Sequence, residues 1–424
     1  MSRRETTRED VRRIAEQARS AQAELAAASS DHRSAVLSHA ADLLERERKD
    51  IADKNREDIQ AAMHAGIPSA LLNRLSFDEG KIDQRVAVLR DIAAASDPIG
   101  GFEDIGVGKS GIKFGKMRVP IGLIVMVYEA RPHVGLNAGA MALKAGNAII
   151  LKGGHEAQKT NQAIAAIWQA ALEKAGLPTE SINVIESSDR QAVAELLNLS
   201  DLVDLVIPRG SRSLIEYVAQ HSRIPVIKHF AGVCHVYIDD TADLEMAVAI
   251  CLDSKLAMPA VCNAAETFLV SQAVASELLP PLAARLVEQG VEIRGCPTAK
   301  KTVPSISQAS EDDWFAEYLD QIVAIRVVDG IAEAIEHINH YGSHHTDTIV
   351  TQSPENADRF IREVDSAMVL VNASTMFNDG SELGMGAEIG ISTDKLHARG
   401  PMGLRELTTY RWVVVGNGNV MFNL

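Results

Sequence analysis

From Ile121 onward the chain repeats one pattern, a short apolar run followed by a helical stretch of ten or more residues, and that pattern leaves few folds open. The runs are IGLIVMVY, NAIILKGG, INVIES, DLVDLVIPRG, PVIKH and VCHVYID, separated for the most part by helical stretches such as VGLNAGAMALKAG. Short apolar strands alternating with helices form a parallel sheet covered on both faces. A second alternation follows a helix ending near Leu256: AETFLV, a helix, VEIRG, then QIVAIRVVD, a helix, TDTIVTQ, a helix, and SAMVLVNA. The sequence therefore predicts an α/β protein with two doubly wound units joined near Pro259. The chain has 424 residues, and single cores usually split above roughly 250–300 residues.

The flanks are of another kind. Residues from about 7 to 65 carry apolar positions at three-to-four spacing, including Val11, Ile14, Ala15, Val36, Ala40, Leu43 and Leu44, and read as packing helices without chemistry. Between Gly100 and Pro120 the segment GFEDIGVGKSGIKFGKMRVP reads as a glycine-rich hairpin. TTYRWVVVGNG near the end reads as a lone strand. A hairpin and a strand that belong to neither unit suggest a sheet completed between subunits, because unpaired strand edges are a liability.

Composition narrows the function classes. Lys and Arg number 42 against 57 Asp and Glu, a formal net charge of −15, which disfavours nucleic acid or an anionic membrane surface as partner. The charged N-terminus MSRRETTREDVRRIAEQARS has no apolar signal segment, and no run approaches the roughly 18 residues of a membrane span, so a cytoplasmic protein is expected. Four cysteines, Cys234, Cys251, Cys262 and Cys296, are too sparse for a disulfide scaffold and form no C-x-x-C pair.

Several motifs bear on chemistry. GVGKSG (Gly106–Gly111) matches G-x-G-x-x-G but lacks the strand before and helix after that a phosphate loop requires, and is read as hairpin. The histidines of HINHYGSHH straddle a helix end and a loop with no carboxylate or cysteine to complete a metal set, so solvated loop histidines are expected and no metal. LKGGHE (Leu151–Glu156) closes a strand and opens a helix, where doubly wound sheets bind ligands; Lys152 offers charge, and Gly153 and Gly154 allow close backbone approach. PRGS (Pro208–Ser211) is a second such loop, with Gly210 and Ser211. In MPAVCNAAE, Cys262 stands at the start of the second unit, where a lowered pKa would make it a nucleophile. GSELGMGAEIGIST is a long glycine-rich loop suited to surround a carboxylate or phosphate.

The strings VPIGLIVMVYEARPHVGLNAGAMALKAGNAIILKGG, VCNAAETFLV, SAMVLVNAST and ELGMGAEIGISTDKLHARGPMGLRELTTY resemble the gamma-glutamyl phosphate reductases of the aldehyde dehydrogenase superfamily, in order and over essentially the whole chain. The resemblance implies a superfamily fold with an NADPH-binding domain (1–100 and 119–258), a catalytic domain (259–405), and an oligomerisation hairpin and strand (101–118 and 406–424). It implies NADPH-dependent reduction of gamma-glutamyl phosphate to glutamate 5-semialdehyde through a Cys262 thioester, in a homo-oligomer that could receive its labile substrate from glutamate 5-kinase. Asn263 follows the nucleophile, and the Cys262 backbone N–H is the expected oxyanion donor. The glutamate that activates water in hydrolytic relatives is replaced by His229, aligned on Ala231-Gly232, and loss of that base fits a thioester that must escape hydrolysis. The oxyanion asparagine of those relatives falls near Glu129-Ala130.

Lys152 and His155 stand where NAD-using relatives have a lysine and a ribose-binding glutamate, which implies NADPH, with the carboxylate of Glu156 one residue away. Glu317 resembles the glutamate that holds the nicotinamide ribose. Gly384, Gly386, Ala387 and Ser392, with Arg131, are expected to bind the substrate's carboxylate and amine. The chain departs from the family in Ala257-Met258 before the cysteine motif, where the family has Gln-Arg; Lys255 is a candidate replacement cation. The competing readings are a hydrolytic or CoA-acylating relative and a catalytically silent assembly partner.

Overall fold

The computed structural model describes residues 8–185 and 190–421, so residues 1–7, residues 186–189 (the last two of INVIES and the two after them) and residues 422–424 lie outside the description. Two compact units emerge, one comprising 1–228, 385–389 and 402–424, the other 229–384 and 390–401.

In the first unit, β1 (Phe102–Val107) and β2 (Lys113–Pro120) form the expected hairpin. Gly108 and Ile112 close its turn, through the Gly108 N–H to the Ile112 carbonyl at 2.8 Å, so GVGKSG is a turn and not a phosphate loop. Then come β3 (Leu123–Tyr128), β4 (Ala148–Lys152), β5 (Ile182–Val184) and β6 (Leu205–Arg209), which make a parallel sheet in the order β5-β4-β3-β6. Every residue of β3 and β4 is buried, as the continuous apolar runs require. The long helix Arg8–Ala27 buries Val11, Ala15 and Ala18 in the same cluster as Leu123, Val125 and Ile150. The C-terminal strand Thr408–Val415 pairs antiparallel with β2 along its whole length. The hairpin and terminal strand thus pair with each other within one chain, where the sequence suggests a sheet completed between subunits.

The second unit is built on seven parallel strands in the order β10-β9-β11-β8-β7-β12-β13. They are β7 (Cys234–Ile238), β8 (Ala265–Ser271), β9 (Glu292–Gly295), β10 (Ser307–Gln308), β11 (Ile322–Val328), β12 (Thr346–Val350) and β13 (Met368–Val371). The sequence places everything up to residue 258 in the first unit, but β7 lies between β8 and β12 and the helix Leu244–Leu256 packs on that sheet through Ala247, Val248 and Cys251, so 229–258 belong to the second unit. PVIKH stays with the first sheet through a bridge between Val206 and Val226. Strand pairing, which periodicity does not encode, moves the boundary to 228/229. Among the described residues no helix is long and apolar enough to cross a membrane.

Candidate active site

The second sheet gathers its chemistry at the amino ends of four neighbouring strands. His229 and Gly232 precede β7, Cys262 and Asn263 precede β8, Glu317 lies shortly before β11, and His345 immediately precedes β12. Because β11, β8, β7 and β12 are adjacent and parallel, segments far apart in sequence arrive at one end of the sheet. One ring nitrogen of His229, one of His345 and the Cys262 sulfur lie within 4.8 Å of one another.

Cys262 is the one free cysteine that is not buried. Burial pushes the thiols of Cys234 and Cys251 up, holding both protonated. Cys234 uses its S–H on the Cys262 carbonyl at 3.2 Å. Gly232 presses on the same carbonyl: a Cβ there would lie 1.8 Å from the Cys262 oxygen. Its own N–H donates to Glu317 Oε1 at 2.7 Å. Among the described residues neither the Cys262 nor the Asn263 N–H donates a hydrogen bond, which leaves two backbone donors at the nucleophile. The Asn263 side chain braces a loop, donating to the carbonyls of Met376 (3.3 Å) and Asn378 (3.2 Å).

Lys255 does not replace the missing cation. It is fully buried, with Nζ 2.5 Å from Glu266 Oε2, and Glu266 also accepts from the Leu319 N–H at 3.2 Å. Burial pushes Glu266 up to about 7, against the downward pull of Lys255. This pair spans the cysteine segment in sequence, one partner on either side, and anchors the stretch that carries Glu317. The expectation of solvated loop histidines also needs correction, because His337 and His345 are buried. Burial, aided by His235 and Arg326, drives His337 down to about 2.

In the first unit, β3 to β5 run outward on one side and β6 returns on the other, so the strand order reverses between β3 and β6. A doubly wound sheet opens a ligand crevice at the carboxyl ends flanking such a reversal. Here those ends carry Glu129–Arg131, Lys152–His155 and Gly210–Ser211. Glu129 Oε2 accepts from the Ser211 N–H at 2.8 Å, and Glu156 Oε1 from the Ala130 N–H at 2.5 Å. A Cβ on Gly154 would meet the Glu156 carboxylate at 2.1 Å, and one on Gly210 would meet Glu129 at 2.5 Å. Lys152 is buried and donates to the Gly153 carbonyl at 2.8 Å. The His155 side chain is 74% exposed. Arg131 caps the helix Pro132–Lys144. Burial, with Arg85, Arg131, Lys81 and Arg209 adding to it, lowers His133 to about 4.

The glycine-rich loop is divided. Gly384 and Ser392 belong to the second unit, Gly386 and Ala387 to the first. Gly384 and Gly386 both adopt positive φ, which glycine alone takes without cost. Ser392 is buried in a short pairing of Ile391–Ser392 with Gly400–Pro401, and its hydroxyl accepts from the Asp394 N–H at 3.2 Å.

Residues 1–321 match the aldehyde dehydrogenase family model. The gamma-glutamyl phosphate reductase of Thermotoga maritima is similar at 41% identity, covering 97% of this chain and 100% of its own, with a TM-score of 0.95. The gamma-glutamyl phosphate reductase of Saccharomyces cerevisiae is similar at 29% identity over 98% of this chain and 99% of its own, with a TM-score of 0.55. An acetylating aldehyde dehydrogenase from Geobacillus thermoglucosidasius shares the fold at 18% identity and a TM-score of 0.70, covering 98% of each chain. Two parallel sheets, a thiol at the amino end of one and these full-length likenesses lead to one conclusion: the chain belongs to the aldehyde dehydrogenase family, in its gamma-glutamyl phosphate reductase branch.

Proposed function

We propose that the protein reduces gamma-glutamyl phosphate to glutamate 5-semialdehyde and phosphate with NADPH, the second step of proline biosynthesis, as a cytoplasmic homo-oligomer. The observation that carries this reading is the thiol of Cys262 set beside imidazoles, with a histidine at position 229 in place of a water-activating carboxylate. The Cys262 thiolate attacks the acyl carbon, the backbone N–H groups of Cys262 and Asn263 receive the oxyanion, and phosphate leaves a thioester on the sulfur. When bound, NADPH would supply the hydride that converts this thioester to the aldehyde.

Residues in the first unit fit a dinucleotide bearing a 2′-phosphate. The Glu156 carboxylate is drawn inward to the Ala130 N–H, with its other oxygen 3.5 Å from His155 Nδ1, while the Lys152 ammonium supplies positive charge. Gly153, Gly154, Gly210 and Ser211 line the strand ends where the pyrophosphate would lie. Glu317 is assigned to the nicotinamide ribose. Arg131, Gly384, Gly386, Ala387 and Ser392 are assigned to the substrate's carboxylate and amine, and the cations around His133 favour an anionic ligand at that end of the first sheet. Exposed Ile105, Val107, Trp412 and Val414 on the antiparallel sheet support association between copies. The lability of an acyl phosphate favours direct delivery from glutamate 5-kinase.

The reverse reaction tests the reading, because the forward substrate is unstable. Glutamate 5-semialdehyde with NADP+ should give NADPH absorbance only when inorganic phosphate is added, and Cys262→Ala should abolish it while NADPH still binds. NADP+ reduction without phosphate would mean that water resolves the thioester and would replace this reading by the hydrolytic one.

A further inference from the structure

Two imidazoles approach the Cys262 sulfur, and for one of them the position of the proton follows from its other contact. His229 Nδ1 is 2.8 Å from the backbone carbonyl oxygen of Ile391. A carbonyl oxygen can only accept, so Nδ1 carries the proton, and Nε2 is the nitrogen on which an unprotonated ring offers its lone pair. The ring is held by that bond and by His345, which sets an edge-on ring 5.5 Å from it. His345 is itself fixed, with Nδ1 2.7 Å from Thr346 Oγ1. Its neighbour Thr346 is anchored by the Asn378 amide at 2.6 Å, and Asn378 by Asn263, the residue after the nucleophile.

We propose that His229 is the base for Cys262, accepting the thiol proton on Nε2 and passing it to the departing phosphate; this rests on the acyl-phosphate reading above. As sulfur bonds to the acyl carbon, the S–H proton moves to His229. As the carbon–oxygen bond to phosphate breaks, the proton moves on to that oxygen. Thiol and acyl phosphate dianion thereby give thioester and hydrogen phosphate, with no proton gained and nothing oxidised or reduced. In the second half-reaction, for which bound NADPH would supply the hydride to the thioester carbon, one solvent proton enters through His229. The carbon–sulfur bond then breaks, releasing the aldehyde and restoring the Cys262 thiol.

The other titratable groups around the sulfur do not compete for this role. Cys234 is a protonated donor to the Cys262 carbonyl, and Glu317 accepts the Gly232 N–H. Asp347 is engaged by His235 and Glu266 by Lys255. His345, whose Nδ1 faces Thr346 Oγ1 and Cys234 Sγ (3.7 Å), is assigned a positioning role through the ring contact, and the His345→Gln profile tests that assignment.

The first test needs neither substrate nor cofactor. The full-length protein is alkylated with iodoacetamide in the presence of chelator from about pH 5.5 to 9.5, and modification of Cys262 is followed by mass spectrometry. The wild-type midpoint should fall at least about one pH unit below the roughly 8.5 of an unassisted thiol. His229→Gln keeps an N–H for the Ile391 carbonyl but has no base. Its midpoint should rise to about 8.5 and its rate at neutral pH should fall about tenfold, while His345→Gln shifts the profile less. A wild-type midpoint at the unassisted value, or a folded His229→Gln whose profile overlays the wild type, overturns the proposal. Should His229→Gln not fold, the wild-type midpoint decides, together with rescue of His229→Ala turnover by added imidazole. An alkylation shift without phosphate-dependent NADP+ reduction would sink the reductase reading and leave the His229–Cys262 pair standing.

Discussion

Gly232 sets how closely the strand entering β7 approaches the nucleophile, since any side chain there would occupy the place of the Cys262 carbonyl. Gly232→Ala must push the cysteine segment away by an ångström or more. Misplacement on that scale costs about 10²-fold in turnover, and overpacking of this kind about 1–3 kcal/mol in stability; steady-state kinetics beside a urea melt separates the two. At the cofactor loop, Lys152→Ala should raise the KM for NADPH several-fold more than that for NADH, and equal losses would remove Lys152 from 2′-phosphate recognition. Cys262, Lys152 and the glycines could be read from local sequence, because each sits in a short motif whose residue types carry their own chemistry. His345 could not. It lies 83 positions from Cys262 in the chain and meets it only because β12 and β8 flank β7, and no periodicity reports strand order.

At the scale of elements, the buried pair of Lys255 at the end of one helix and Glu266 in β8 closes the segment that carries the cysteine. Breaking it from the lysine side strands the carboxylate: above about pH 7 Lys255→Met should cost about 3–5 kcal/mol, and adding Glu266→Gln should recover much of that loss. The pH dependence has a definite sign. Burial raises the folded-state pKa of Glu266 to about 7, above its unfolded value near 4.3, so the folded protein holds the proton more tightly than the unfolded chain. That contribution to stability is complete below about pH 4.3 and is lost as pH rises through about 7, a change on the order of 3 kcal/mol. Urea melts at about pH 5 and 7.5 should show it in the wild type and not in the double variant. The alternation of strands and helices is legible in most of both sheets, but not in the short helix Pro297–Thr302 and the two-residue β10, which carry too little apolar pattern to show, nor in PVIKH, which makes one bridge and no strand. Lys255 was legible as a cation but not as a buried one, because an apolar helix with a terminal lysine reads the same whether the lysine meets solvent or a buried carboxylate.

For the molecule as a whole, the exposed apolar side chains of the antiparallel sheet, among them Ile105, Val107, Trp412 and Val414, are the surface on which copies would associate. Trp412→Glu with Val414→Lys should lower the molar mass in light scattering while leaving Cys262 as prone to alkylation as in the wild type. An unchanged mass would place the interface elsewhere. The two-unit plan followed from hydrophobic pattern alone, whereas the boundary did not. The chain leaves the first unit at residue 229, before the cysteine motif that marks new chemistry, and returns to it for 385–389 and from 402 onward. That return has a consequence for synthesis. The strand Thr408–Val415 pairs along β2, and the Leu407 carbonyl receives the side-chain amide of Asn147 at 2.8 Å. A ribosome therefore delivers residues 229–384 as one nearly uninterrupted block that can fold as it emerges, while the part made first must wait for the part made last before its antiparallel sheet is complete.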